Sequence, residues 1–331
     1  MEHDESTQDL EALRERWTSE QMDLARECKF YDDELPFSVT SKTTPEEGSS
    51  GEDFDEPVVR SESIGTIDVE GLNYVGGLDI SFVGSEDATG GSKEGTEGLP
   101  DAYATIAVLE YPSMKLRHEL TEPIHLNTPY IPSFLAYREA PTYLSLLEKL
   151  RTKLQQDGKE NEFPQLLVVD GNGRLHVREA GSACAVGVRS GLPTIGVAKN
   201  YHPPHGSPEK EGDEKANPAA MGGGWRATQK GMRQMAQKVL KQQGDWIGLH
   251  RQSVESPVAS RNAYIGAAVL SSKGAKNPIF VSPAHRVSLR TAILLALVMS
   301  KVRVPEPTRK ADEISRIAVR KALAQTPKTD S

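Results

Sequence analysis

One carboxylate sits inside an apolar strand-like run and another closes a second such run. This pairing constrains the fold more than any other feature of the sequence. Residues 77–82 read Gly-Leu-Asp-Ile-Ser-Phe, which places Asp79 among apolar neighbours. Residues 166–170 read Leu-Leu-Val-Val-Asp, ending on Asp170 before Gly171-Asn172-Gly173. An ionised group within a buried strand is costly unless it is paired or metal-bound. A short apolar run ending in an acid at a glycine turn is how α/β proteins bring carboxylates to the working edge of a sheet. On these residues alone, a structural ion pair for Asp79 and a turn or cap for Asp170 are the alternatives.

The surrounding pattern supplies a sheet for these acids. Residues 74–83 and 102–111 are strand-like, and the turn Tyr111-Pro112-Ser113-Met114 leads into KLRHELTEPI, which predicts an antiparallel meander. A helix over 142–156, a strand over 165–170, a helix around 179–190 and a strand over 193–199 follow. Strands over 264–271 and 277–283 and an apolar helix over 288–302 complete the pattern. Antiparallel strands followed by alternating β and α elements predict an α/β fold, a mixed sheet flanked by helices.

Composition divides the rest. In residues 1–35, Leu10, Leu13, Trp17, Met22 and Leu24 recur at helical spacing and predict an amphipathic helix. Residues 36–63 turn to Ser, Thr, Pro, Gly and acid, so a disordered acidic linker is expected there. Residues 64–315 are expected to form the main domain, with flexible inserts at 84–100 and 201–224, and 316–331 a basic tail. The net charge of -8 looks wrong for a nucleic-acid binder, but it is unevenly spread. Residues 1–63 hold 19 Asp and Glu against 6 Lys and Arg, a net of -13, so the remainder sums to +5. Phosphate attraction follows the local field rather than the total. Cys28 and Cys184 make neither a disulfide framework nor a metal cage. No apolar run reaches the ~18 residues of a membrane span, and the N-terminus is acidic rather than signal-like. The expectation is a monomeric intracellular protein, cytoplasmic and/or nuclear (nucleolar), with no membrane partner.

Two converging carboxylates suit Mg²⁺, with Mn²⁺ as a substitute, because such hard ions take oxygen ligands and complete their shell with water and phosphate. Such an ion can lower the pKa of a bound water and neutralise charge on a pentacoordinate phosphorus. Glu139, in AYREAP, offers a third acid, although Arg138-Glu139 also reads as an exposed charge pair. His285 follows a strand and precedes a helix, so it is expected near the same edge as proton donor or acceptor, or else as a capping residue. Lys199, at a strand end, is a compact charge for a phosphate oxygen or simply a solvated lysine. Pro129-Tyr130-Ile131-Pro132 is a stiff tip, suited to insertion between bases or to packing as a loop.

Taken together, the local strings resemble the endonuclease V family. The matching stretches are GLDISF (77–82), YPSMKL (111–116), TPYIPSFLAYRE (128–139), LLVVDGNGRLHVR (166–178), LPTIGVAK (192–199), HRVSLRTA (285–292) and VPEPTRKAD (304–312). They run in the family's order over nearly all of residues 74–312. The resemblance implies an RNase H-like fold and an endonuclease that hydrolyses the second phosphodiester 3′ to inosine, leaving 3′-hydroxyl and 5′-phosphate ends. It implies Asp79 and Asp170 as metal ligands, Glu139 as the third acid, His285 as a histidine at the catalytic edge and Lys199 beside the scissile phosphate.

The same resemblance implies that Tyr130, with Pro129, Ile131 and Pro132, is a wedge separating the flipped base from its neighbour. It implies a hypoxanthine pocket at Ser133, Leu135, Gly171, Gly181 and Ser182, whose main chain can read a lactam edge without a charged side chain. His176 and Arg178 match an H-x-R element that organises the site or holds a phosphate. This chain departs from the family where Ser133 replaces glycine, Val177 replaces proline or histidine, and Ala185 replaces histidine. The Asn172 and Cys184 spellings and the long inserts look eukaryotic, which implies inosine-containing single-stranded RNA as substrate. Deoxyinosine in DNA as the main target, and a non-catalytic inosine-RNA binder, are the competing readings. Arg309 and Lys310 are candidates to track the backbone beyond the cut. The acidic segment 1–63 is either solvated or an imitation of nucleic acid that regulates the site.

Overall fold

The computed structural model describes residues 2–42, 59–84, 98–126, 128–202, 229–250 and 264–325. Helix α1 (Glu2–Glu27) leads into strands β1 (Ser38–Ser41), β2 (Val59–Ser61) and β3 (Ile67–Glu70). The meander β4 (Tyr74–Phe82), β5 (Ala102–Glu110), β6 (Lys115–Ile124) follows, then helix α2 (Ala136–Gln156). Next come β7 (Leu166–Asp170), α3 (Ser182–Ser190), β8 (Thr194–Ala198), α4 (Gln229–Val239) and β9 (Asp245–His250). Strands β10 (Tyr264–Val269) and β11 (Ile279–His285) and helices α5 (Leu289–Val298) and α6 (Glu306–Gln325) complete the chain.

Among the described residues the strands form one nine-stranded sheet, ordered β2-β9-β10-β11-β8-β7-β4-β5-β6, and a two-stranded β1-β3 pair. Strands β4, β7 and β8 are mutually parallel at the centre, and the strands outside them pair antiparallel. Residues 166–169 are wholly apolar because β7 is covered on both faces. Leu166 and Val168 join the core under α5 and α6, while Leu167 and Val169 join the core under α2 and α3. The alternation of side chains along a strand then decides where the acids point. Asp170 follows the parity of Leu166 and Val168, and Asp79 follows that of Val75, so both face α6. Lys199, in register with Ile195 and Val197 just beyond β8, faces the same way.

Helix α6 lies close against β4 because residue 77 has no side chain. A Cβ at Gly77 would fall 2.0 Å from the Pro307 carbonyl oxygen at the start of α6. Small residues at helical spacing on α6, Thr308, Ala311 and Ser315, form the buried stripe that meets the strand.

Two expectations about the chain ends need correction. At the two ends of the expected linker, the described residues 36–42 and 59–63 carry strands. Strand β1 pairs with β3, Phe37 is buried, and β2 extends the edge of the large sheet beside β9. Strands of three and four residues carry too little pattern to be read without their partners. Residues 316–325 belong to α6 rather than to a tail. The inner parts of the linker and inserts, 43–58, 85–97 and 203–228, and the last residues 326–331 lie outside the described residues.

Candidate active site

Three carboxylates converge where β4 and β7 meet α6. Asp79, Asp170 and Asp312 each offer an oxygen, and these atoms all lie within 4.8 Å of one another. Asp79 is only 4% exposed, and its carboxylate accepts from Ser315 Oγ at 2.7 Å and from Ser81 Oγ at 3.5 Å. Burial, then the nearby Asp170 and Asp312, raise the Asp79 pKa well above the usual carboxylate range despite the Ser315 hydrogen bond. Lys199 bridges the other two acids, with Nζ 2.8 Å from Asp170 Oδ2 and 3.1 Å from Asp312 Oδ1. Burial works to lower its pKa, but Asp170, Asp312 and Asp79 outweigh burial and raise it. Arg316 also pairs with the other oxygen of Asp312, at 3.0 Å, so two cations face three acids, and among the described residues Asp79 has no cationic partner in the ion pairs of the cluster. An all-oxygen donor set with one acid left unpaired fits a hard divalent cation.

Glu139 reaches the same sheet edge from the opposite face, at the start of α2. Ser182 Oγ, at the N-terminus of α3, donates to Glu139 Oε2 at 2.7 Å. Burial, together with Asp170, raises Glu139 to about 7, with the Ser182 hydrogen bond opposing. Beyond it opens a cleft of about 1030 Å³, whose lining includes Asp170, Lys199, Gly171, Gly181, Ser182 and Leu135 together with Tyr130, Pro132, Ser133 and His176. Gly181 is required by close approach, since a Cβ there would fall 2.1 Å from the Asn172 carbonyl oxygen.

The tip at 129–132 divides its labour. Tyr130 is 36% exposed, and the Arg138 guanidinium sits 5.7 Å from its ring centroid. Ile131, by contrast, is 4% exposed and packs with Trp17 and Phe134, so it anchors the tip from below rather than facing the cleft. Ser133 adopts a left-handed backbone, φ 68°, at the position where the resemblance leads one to expect glycine. Its carbonyl is held by Arg178 Nη2 at 2.6 Å and by His176 Nε2 at 3.1 Å. Burial and the neighbouring Arg178 hold His176 down to about 3, so the ring is neutral and donates through Nε2. Arg178 stacks 4.0 Å over Phe134 and is absent from the cleft wall, which makes it a scaffold for the tip.

The structure does not bring His285 to this site. Strand β11 runs antiparallel to β8, pairing His285 with Thr194 at the start of β8, whereas Lys199 follows its end. Five residues of strand separate the two levels, about 16 Å at ~3.3 Å per residue. His285 is buried against Gly187 of α3, where a Cβ would fall 2.6 Å from its own Cβ, and burial and Arg286 lower it to about 4. The carboxylate that completes the cluster is Asp312, inside the matched VPEPTRKAD string but not singled out there. The signal was present as the spacing Thr308, Ala311, Asp312, Ser315, a small-residue helical face interrupted by one acid. Arg309 pairs with Glu306 at 2.6 Å and Lys310 with Glu313 at 2.8 Å, so both are engaged within α6.

Comparison with known proteins agrees with this geometry. The family model described as Endonuclease V matches residues 58–313. Human Endonuclease V is 32% identical over 253 residues, spanning 76% of this chain and 74% of the human protein. The crystal structure of the human catalytic domain superposes with a TM-score of 0.66 at 28% identity, covering 95% of this chain and 98% of that one. Endonuclease V of Ciona intestinalis, solved with a 24mer DNA containing an inosine followed by a ribo-adenosine, gives a TM-score of 0.63 at 26% identity over 94% of this chain and 99% of that one. The nine-stranded mixed sheet is the RNase H-like fold of these nucleases. With family model, relatives and fold in agreement, this chain belongs to the endonuclease V family of nucleases.

Proposed function

We propose that the chain is a Mg²⁺-dependent endonuclease that hydrolyses the second phosphodiester 3′ to inosine in single-stranded RNA, with Mn²⁺ able to substitute. The observation that carries this reading is the Asp79, Asp170 and Asp312 cluster, whose Asp170 lines a cleft that Tyr130, Pro132, Ser133, Gly171 and Gly181 also line. Those three acids would hold the cation, which when bound lowers the pKa of water and neutralises charge at phosphorus. Lys199, already beside Asp170 and Asp312, is placed to hold a non-bridging phosphate oxygen. Glu139, which burial pushes up to about 7, is suited to take a proton from the attacking water while the P–O3′ bond breaks and O3′ takes a proton from solvent. This yields a 3′-hydroxyl and a 5′-phosphate. Tyr130 stacks where the base leaves its neighbours, and the main chain at Gly171 and Gly181 is the part of the cleft that reads the lactam edge.

RNA as the preferred substrate is supported by the Asn172 and Cys184 spellings. The Ciona relative's ligand, with a ribose following the inosine, supports it too. Matched single-stranded oligonucleotides carrying one inosine or one deoxyinosine test it. The RNA is expected to be cut faster, and only with Mg²⁺ or Mn²⁺. Faster cutting of the DNA would overturn the RNA preference, and cutting undiminished by a chelator would overturn the cation.

A further inference from the structure

The wedge and the pocket loop are both tied to a helix that lies outside the family match, since α1 ends at Glu27 and the match begins at residue 58. Gln21 of α1 is 1% exposed and borders the cleft. Its Nε2 donates to the Ala180 carbonyl, immediately before Gly181 and Ser182 of the pocket. Its Oε1 accepts from Arg178 Nε, and the same guanidinium holds the Ser133 carbonyl beneath the tip. One amide thus joins the two walls of the cleft. A turn earlier, Trp17 stacks on Tyr137 with ring centroids 4.4 Å apart, and its carbonyl accepts from the Tyr137 hydroxyl at 3.0 Å. Trp17 also closes the apolar cluster of Ile131 and Phe134.

We infer that Gln21 is a positioning residue for base recognition, setting the Tyr130 wedge against the pocket loop through Arg178 and Ala180. The inference rests on the reading of the cleft as an inosine site. A primary amide donates to the carbonyl through its nitrogen and accepts from the guanidinium through its oxygen, two separate atoms that reach the two partners together. A carboxylate would face the Ala180 oxygen with like charge, and methionine would fill the volume while making neither bond. Without the Gln21 oxygen, the half-buried Arg178 guanidinium loses the acceptor that fixes its Nε, and its hold on the Ser133 carbonyl loosens with it.

The test uses the full chain and its Gln21→Met variant with Mg²⁺ present. Hydrogen exchange is followed over residues 129–135 and 176–182, and steady-state cleavage is measured on RNAs carrying inosine or guanosine at one position. The variant is expected to exchange faster in both segments while β4 and β7 keep their protection. Loss of a hydrogen bond to a charged group predicts KM for the inosine RNA raised about tenfold with kcat little changed. The inosine-to-guanosine ratio is expected to fall with it. Unchanged exchange, or a fall in kcat with KM unaltered, would overturn the positioning role. Equal cutting of both RNAs by the unmodified protein would instead overturn the functional reading, so the two failures are distinguishable.

Discussion

Gly77→Ala is expected to reduce cleavage to background and to destabilise the fold by about 3 kcal/mol or more, as overpacking a rigid contact does. The added methyl would meet the Pro307 carbonyl oxygen at 2.0 Å and its carbon at 2.1 Å, both backbone, so no side-chain rotation relieves it. The helix must back away from β4. Because Asp79 lies two residues beyond Gly77 along that strand and Asp312 five residues beyond Pro307 in the helix, the same displacement opens the carboxylate cluster. Stability and activity should therefore fall together, with a melting temperature lowered by roughly 6–12 °C. Gly65→Ala, where a Cβ would meet nothing within 4 Å, is the matched control and should change neither. A Gly77→Ala protein that melts normally and cuts normally would mean that α6 does not pack on β4 as described.

Asp79→Asn should separate the two properties that Gly77→Ala couples. Cleavage is expected to fall to background, while stability without divalent cation holds or improves at neutral pH. The raised pKa gives the direction. The folded state keeps the Asp79 proton to higher pH than the unfolded chain, whose carboxyl titrates near ~3.9. The stability contributed by that proton is complete below the unfolded value and is lost as pH rises through the higher folded value. Asparagine removes this loss, so the gap between variant and unmodified protein should widen from pH 4 upward in thermal melts with chelator. Added Mg²⁺ should raise the melting temperature of the unmodified protein and not that of the variant. A variant that loses several degrees without metal would show Asp79 held in a structural ion pair, the alternative its strand position leaves open.

The contrast between Asp79 and Asp312 shows what the sequence discloses about this site. An acid in an apolar strand is conspicuous because its surroundings forbid it, and Asp170 is conspicuous at a glycine turn for the same reason. Asp312 sits on a helix with Glu306 and Glu313, where acids are ordinarily solvated. Only the packing of α6 on β4 turns it inward. His285 fails in the opposite sense. Its place between a strand and a helix matches that expected at a working edge, but the antiparallel pairing of β11 with β8 reverses which end that is. Strand direction is a property of the sheet and is not encoded in one segment. The meander and the apolar helices are legible because their patterns are long, and the central strands because they are short unbroken apolar runs bounded by turn residues. The reach of α1 to Arg178 and Ala180 is not, since a glutamine in an amphipathic helix carries no sign of its distant partners.

The central claim is that Asp79, Asp170 and Asp312 hold the cation that cleaves, with His285 outside the site. Single-turnover cleavage of one inosine-containing RNA across a Mg²⁺ titration, comparing Asp312→Asn with His285→Ala, tests it most directly. The account predicts that Asp312→Asn abolishes Mg²⁺-dependent cleavage while His285→Ala cuts with an unaltered Mg²⁺ dependence. Full activity in Asp312→Asn together with loss in His285→Ala would contradict it.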